Sequence, residues 1–187
     1  DHCLAQSEAH PLVDQRRAER GLGIGGRRAH VCHDRFSVVR PTLLVEVWSD
    51  VVCPWCYIGK RRFERAAALL ADEVDLHIVY RPYQLDPGAP PGQTMPVAEA
   101  YARKFGGPEA AQRAISHVTE LAAAEGVEFH MDRALRANTL LAHRLLFLAE
   151  ATGHQPALKE RLLQAYFCDG LDVGDALSEA RREVAQL

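Results

Sequence analysis

Cys53 and Cys56, two residues apart in the stretch CPWC, are the residues of this 187-residue chain whose types and spacing could do chemistry. A C-x-x-C pair can exchange disulfides, contribute to a metal site or lie inert in a core. Exchange needs a thiolate, and a thiol ionises near neutral pH only where backbone amides or a cation stabilise its charge. Pro54 lacks the amide hydrogen that a helix leaves unpaired in its first turn, and its fixed φ suits helix initiation. The pattern therefore puts Cys53 where an extended segment ends and a helix begins, with Cys56 in the first turn and both sulfurs on one face. The positive end of that helix is expected to lower the Cys53 pKa below the ~8.5 of a free thiol. Cys56 is expected to be the more buried and less ionised of the two, attacking the mixed disulfide formed at Cys53.

The other two readings of the pair are weaker. A structural zinc site takes four ligands and this pair supplies two; Cys3, Cys32, His33 and Cys168 stand at no metal-site spacing from it, so no metal is expected. Inertness would require chance to have set a strand before the cysteines, a proline between them and a helix after them. Cys168 reads as a small apolar residue at a helix end, and no role is assigned to it, to Cys3 or to Cys32.

The elements that must position the pair follow from periodicity. In TLLVEVWSD, Leu44, Val45, Val47 and Trp48 put apolar residues on both faces of a short β-favouring run, which predicts a buried strand. After the cysteines, Tyr57, Ile58, Phe63, Ala66, Ala67 and Leu70 recur at helical spacing among charged residues. VDLHIVYRPYQLDP then alternates Leu76, Ile78 and Tyr80 with His77 and Val79, a second strand ended by Pro82 and Pro87. Strand, helix and strand in that order form a βαβ unit with parallel strands over residues 41–90.

From residue 91 to 187 the chain reads as a helical subdomain. TMPVAEAYARKFGG stops at Gly106 and Gly107; PEAAQRAISHVTELAAAEG opens on Pro108 and carries Ala111, Ile115, Val118 and Leu121 in one stripe. NTLLAHRLLFLAEATG begins with Asn138 as its expected cap and sets Leu141, Leu145 and Leu148 on one face; PALKERLLQAYFCDG follows with Leu158, Leu162, Tyr166 and Phe167, and another helix is expected from Asp175.

Residues 1–40, rich in Arg, His, Gly and Asp, show neither period and read as a disordered extension, hypothetically from outside the natural reading frame. GLGIGG within it has no preceding strand and so is not a phosphate loop. No apolar stretch follows a basic start as in a secretory signal, which sets the expectation of a cytoplasmic protein. Lys and Arg total 22 against 25 Asp and Glu, a formal net charge of −3 that argues against a dedicated nucleic-acid binder. The apolar runs fall short of the ~20 residues of a membrane-spanning helix. The oligomeric state is not legible.

SDVVCPWCYIGKRRFE, YRPYQLDP and NTLLAHRLLFLA together resemble the DsbA family, specifically its FrnE-like cytoplasmic branch, over about Leu43 to Asp175. The resemblance implies an α/β thioredoxin-like fold with an all-helical insertion, and thiol–disulfide oxidoreductase activity on protein or small-molecule thiols. Cys53 matches the nucleophilic cysteine and Cys56 the resolving one, with the disulfide itself as redox centre, glutathione as a conceivable co-substrate and no other cofactor.

Two departures qualify the resemblance. Family members return after the helices to a strand preceded by a cis-proline, then a hairpin strand and a last helix, and nothing after Asp169 reads that way. The sheet would then have two strands and an exposed edge, and the chain is expected to be a fragment with incomplete substrate binding and low stability. Second, Trp55 stands where strongly oxidising relatives carry a histidine, so the potential is expected to be less oxidising than about −120 mV. The 2-hydroxychromene-2-carboxylate isomerases, glutathione-dependent enzymes of the same fold, resemble the segments around Arg81 and Asn138 but generally carry serine in place of Cys53. They remain the alternative, and a noncatalytic binding module is a third reading. Arg81, Asn138, His143, Arg144 and His77 read as structural: a cap at Asn138, a solvated Arg144, a polar flank at His143 and an edge residue at His77.

Overall fold

The structure, a computed structural model, describes residues 40–175; the N-terminal extension, its cysteines and the helix expected after Asp175 lie outside them. β1 (Thr42–Ser49), α1 (Pro54–Leu69) and β2 (Asp75–Pro82) form the expected βαβ unit. The strands pair in parallel from Thr42 opposite Asp75 to Ser49 opposite Pro82.

The helices follow the sequence periodicity closely. α2 (Val97–Phe105) ends at Gly106, whose φ of 87° places it in the left-handed region that glycine reaches without penalty. α3 (Pro108–Ala124) starts on its proline, and α4 (Leu140–Glu150) and α5 (Gln155–Phe167) complete the subdomain. Periodicity did not reveal β3 (Met95–Pro96) and β4 (Leu135–Arg136), two-residue strands whose antiparallel pairing ties the start of α2 to the segment before α4. Elements this short carry no period to detect.

The core lies under the N-terminal turns of α1, against α3, α5 and the segment between α3 and α4. Phe129 and Phe167 stack with centroids 4.4 Å apart, and Tyr57 lies 5.8 Å from Phe129, so the helix that carries the cysteines is anchored through its fourth residue. Each such ring removed from water contributes roughly 2–3 kcal/mol. The Tyr57 hydroxyl donates to Glu160 on α5 at 2.7 Å, so its polar tip is also satisfied.

Two expectations about packing are corrected. β1 is not a buried strand: Leu43, Leu44 and Trp48 are exposed, because among the described residues the sheet has only β2 beside it and no layer over its outer face. On α4 the side turned inward is Ala142, His143 and Leu146, while Leu141 and Leu148 face solvent. Leucine count alone suggested the opposite face; the small Ala142 and the polar partner waiting for His143 decide it.

Candidate active site

β1 ends in a buried turn, Ser49 to Val51, that delivers the chain to the start of α1. Cys53 is the N-cap, with extended backbone at φ −95° and ψ 112°, and Pro54 opens the helix. The Cys56 and Tyr57 amides donate to the Cys53 carbonyl at 3.0 and 3.3 Å, closing the first turn and setting both sulfurs at the helix entrance. Cys53 and Cys56 are free thiols in hydrogen-bond contact.

Behind the pair lies a buried polar cluster. Asp50 is 1% exposed; its Oδ1 accepts the Val51 amide at 2.8 Å and its Oδ2 accepts the Leu85 amide at 2.7 Å. His143 Nε2 lies 3.1 Å from Asp50 Oδ1 and donates to it, since an ionised carboxylate only accepts. Burial by itself would raise the Asp50 pKa, but the His143 and Leu85 hydrogen bonds outweigh it and hold the carboxyl below its ordinary value. Lys159, 1% exposed on α5, donates to the Asp50 carbonyl at 3.2 Å and lies over the Tyr80 ring at 5.6 Å. Burial draws its pKa down to about 8 against the opposing pull of Cys56, Asp50 and Cys53.

These surroundings divide the charge unevenly between the sulfurs. Cys56 is drawn down to about 7, first because the Cys53 thiol donates to it, then because the Asp50 amide and the Lys159 charge overcome its burial. Cys53 is pushed far up by its bond to Cys56 and by burial; the Trp55 and Cys56 amides pull it down without closing a capping hydrogen bond. The pair thus gives up one proton readily and holds the second, which is the behaviour of two coupled thiols sharing one proton. Among the described residues no group of His, Cys, Asp and Glu is placed to hold a metal ion.

The DSBA-like thioredoxin domain family matches residues 44–186 of the chain. The chain belongs to this family. This DSBA-like domain is similar to a solved structure, that of a probable DsbA oxidoreductase from Streptomyces coelicolor, with 38% identity and a TM-score of 0.65. The similarity covers 71% of this chain and 57% of the other, so the domain spans little more than half the length of that protein. No curated protein matches the chain.

Measured against the sequence reading, the DSBA-like domain brings Cys53 and Cys56 together at the helix entrance but reverses their expected burial. Cys53 is the buried one, 8% exposed, and Cys56 is only partly buried. The reason is geometric: Cys53 sits in the turn leaving β1, while the first turn of α1 carries Cys56 back over Asp50 and Lys159. His143 is no flank of an apolar stripe but a buried partner of Asp50, 4% exposed. Asn138 caps one residue early: Thr139 is the N-cap of α4, and the Asn138 side chain accepts from the Leu140 amide at 3.0 Å and donates to the Ala89 carbonyl at 2.7 Å. Arg81 pairs with Glu46 and Glu150, His77 is exposed on β2, and Arg144 faces solvent as expected. Trp55 is 52% exposed, its ring 5.9 Å from that of His117 on α3.

Sequence reasoning missed Asp50 and Lys159. For Lys159 a signal existed, because Gln155, Lys159, Leu162 and Tyr166 share one face of α5, and a polar residue on an otherwise apolar stripe must find a buried partner. For Asp50 there was none, since an acid after a strand is ordinary turn chemistry.

Proposed function

We propose that this DSBA-like domain exchanges disulfides through Cys53 and Cys56. The observation that carries the reading is a pair of free thiols sharing a proton at a helix entrance, with one of them ionising at about 7. A proton moving along the bond between the sulfurs transfers the negative charge from Cys56 to Cys53, where the Trp55 and Cys56 amides receive it. The Cys53 thiolate attacks one sulfur of a substrate disulfide, forms a mixed disulfide and expels the other sulfur as a thiolate. Cys56 gives up its proton, attacks the Cys53 sulfur and releases the second substrate thiol. Two electrons pass from the protein dithiol to the substrate, and the reverse sequence oxidises a substrate dithiol. Asp50 and Lys159 touch no substrate in this scheme; the Asp50 amide positions Cys56 and the Lys159 charge offsets that of its thiolate.

The FrnE-like assignment, a cytoplasmic location and a potential less oxidising than about −120 mV belong to the same proposal. So do thiol and disulfide substrates, with glutathione as a co-substrate. A redox titration of the purified protein against a glutathione buffer tests it, with the Cys53→Ser and Cys56→Ser variants as controls. A two-electron transition that both variants abolish is expected, with Cys56→Ser trapping a mixed disulfide at Cys53. Glutathione-dependent isomerisation that survives in Cys56→Ser, with no dithiol transition in the parent protein, would establish the isomerase reading instead.

A further inference from the structure

A cavity of about 220 Å³ opens beside the cysteine pair, between α2, β4 and the segment after β2. Val52, the neighbour of Cys53 in the chain, forms part of its wall, and both Tyr101 and Tyr166 lie close enough to Cys53 to feel its charge. Those two tyrosines line the cavity as well, and neither hydroxyl has a hydrogen-bond partner among the described residues, although Tyr166 is only 3% exposed. Both hydroxyls open into the cavity, so each O–H is a donor free to meet an acceptor that enters it.

The charges around the cavity are unequal. Arg136 is neutralised by its ion pair with Asp86, and the Asp50 carboxylate is already met by His143 and two amides. Lys104 lines the same cavity and has no carboxylate partner among the described residues; its ammonium lies 5.6 Å from the centre of the Phe105 ring. The Lys104 ammonium and two phenol O–H donors around a small space next to a thiol fit an anionic oxygen ligand of a few atoms, the Asp50 carboxylate in the wall being engaged by the Val51, Leu85 and His143 donors. The volume admits a carboxylate and its near neighbours and excludes a folded protein surface.

We propose that this cavity binds the carboxylate of a low-molecular-weight disulfide and so presents that disulfide's sulfur to Cys53. The inference rests on the exchange function and names the substrate class for it. The chemistry balances with that substrate as oxidant: Cys53 displaces one thiol, Cys56 displaces the other, the protein dithiol becomes a disulfide and two small thiols leave with the two protons.

Dithiodiglycolate and its uncharged diamide test this, each rate being normalised to the same disulfide's reaction with a free alkanethiol. The wild-type protein is expected to prefer the dicarboxylate by roughly tenfold, the effect of one charge-assisted hydrogen bond. Lys104→Gln, an exposed position, and Tyr166→Phe, which removes one oxygen, are each expected to bring that ratio towards one. Equal normalised rates in the wild type, or a preference that neither variant moves, would overturn the cavity's role while leaving exchange intact. If neither disulfide oxidised the pair while a glutathione buffer did, this inference would fall and exchange would stand; if the glutathione buffer failed as well, both would fall.

Discussion

His143 and Asp50 meet as a buried pair across 93 residues of chain, ring nitrogen to carboxylate at 3.1 Å, and so fasten α4 to the turn that delivers Cys53. The Asp50 carboxylate also holds the amides of Val51 and Leu85, so one side chain organises three segments.

Asp50→Ala is therefore expected to strand two buried donors, the Val51 amide and His143, besides the partly exposed Leu85 amide, and to lower stability by about 2 kcal/mol or more, since each unpaired buried donor costs about 1–3 kcal/mol. The pH dependence has a definite sign. The folded-state pKa of Asp50 lies below its ordinary value, so its contribution is fully present above ~3.9 and is lost as pH falls through the lower, folded value. Urea unfolding of the wild type and of Asp50→Asn between neutral and strongly acid pH checks this; parallel stability curves in the acid range would refute it.

The thiol pair makes a second prediction. Thiolate absorbance, or the rate of iodoacetamide alkylation, is expected to rise with a midpoint at about 7. Cys53→Ala removes the thiol that donates to Cys56, and the midpoint should move up towards the ~8.5 of a free thiol. A midpoint unaffected by Cys53→Ala would mean that the two sulfurs do not share a proton.

Lys159 offers a linked test. Its folded-state pKa is about 8, below the ~10.4 of an unfolded lysine, so between those values the unfolded chain binds more protons. Stability of the wild type relative to Lys159→Met is thus expected to rise with pH across that window and to show no slope from this group below it. The same substitution removes a cation facing Cys56, so the alkylation midpoint should rise. Denaturant melts at graded pH and the alkylation profile read the two effects separately.

Gln155 supports the open side of β2. Its Oε1 accepts the Tyr80 amide at 2.8 Å and its Nε2 donates to the Tyr80 carbonyl at 3.0 Å, the bonds that a neighbouring strand would make. Gln155→Leu keeps the volume and removes both partners. A loss of about 2–4 kcal/mol in thermal or denaturant unfolding is expected, two buried backbone groups being left unpaired. A change within about 0.5 kcal/mol, typical of a surface substitution, would show that water replaces the amide there.

The sequence by itself determined the local architecture that presents the cysteines. Pro54 between two thiols, an apolar run before them and a 3.6-residue period after them were sufficient to place Cys53 at a strand-to-helix junction and Cys56 in the first turn. The same short-range rules set the start of α3 at Pro108 and the glycine stop of α2 at Gly106, because helix caps and periods depend on residues within a turn or two of each other.

Only the tertiary structure decided which sulfur is the more buried, that Asp50, His143 and Lys159 gather behind the pair, and that α4 turns Ala142 rather than Leu141 inward. It also decided that β1 is left uncovered, against its apolar composition. Each of these depends on contacts between segments remote in the chain: β1 from α4 and α5, and α2 from the cavity wall opposite. Ionisation follows the distance and burial of charges in space, and that distance is set by packing, which no local period encodes.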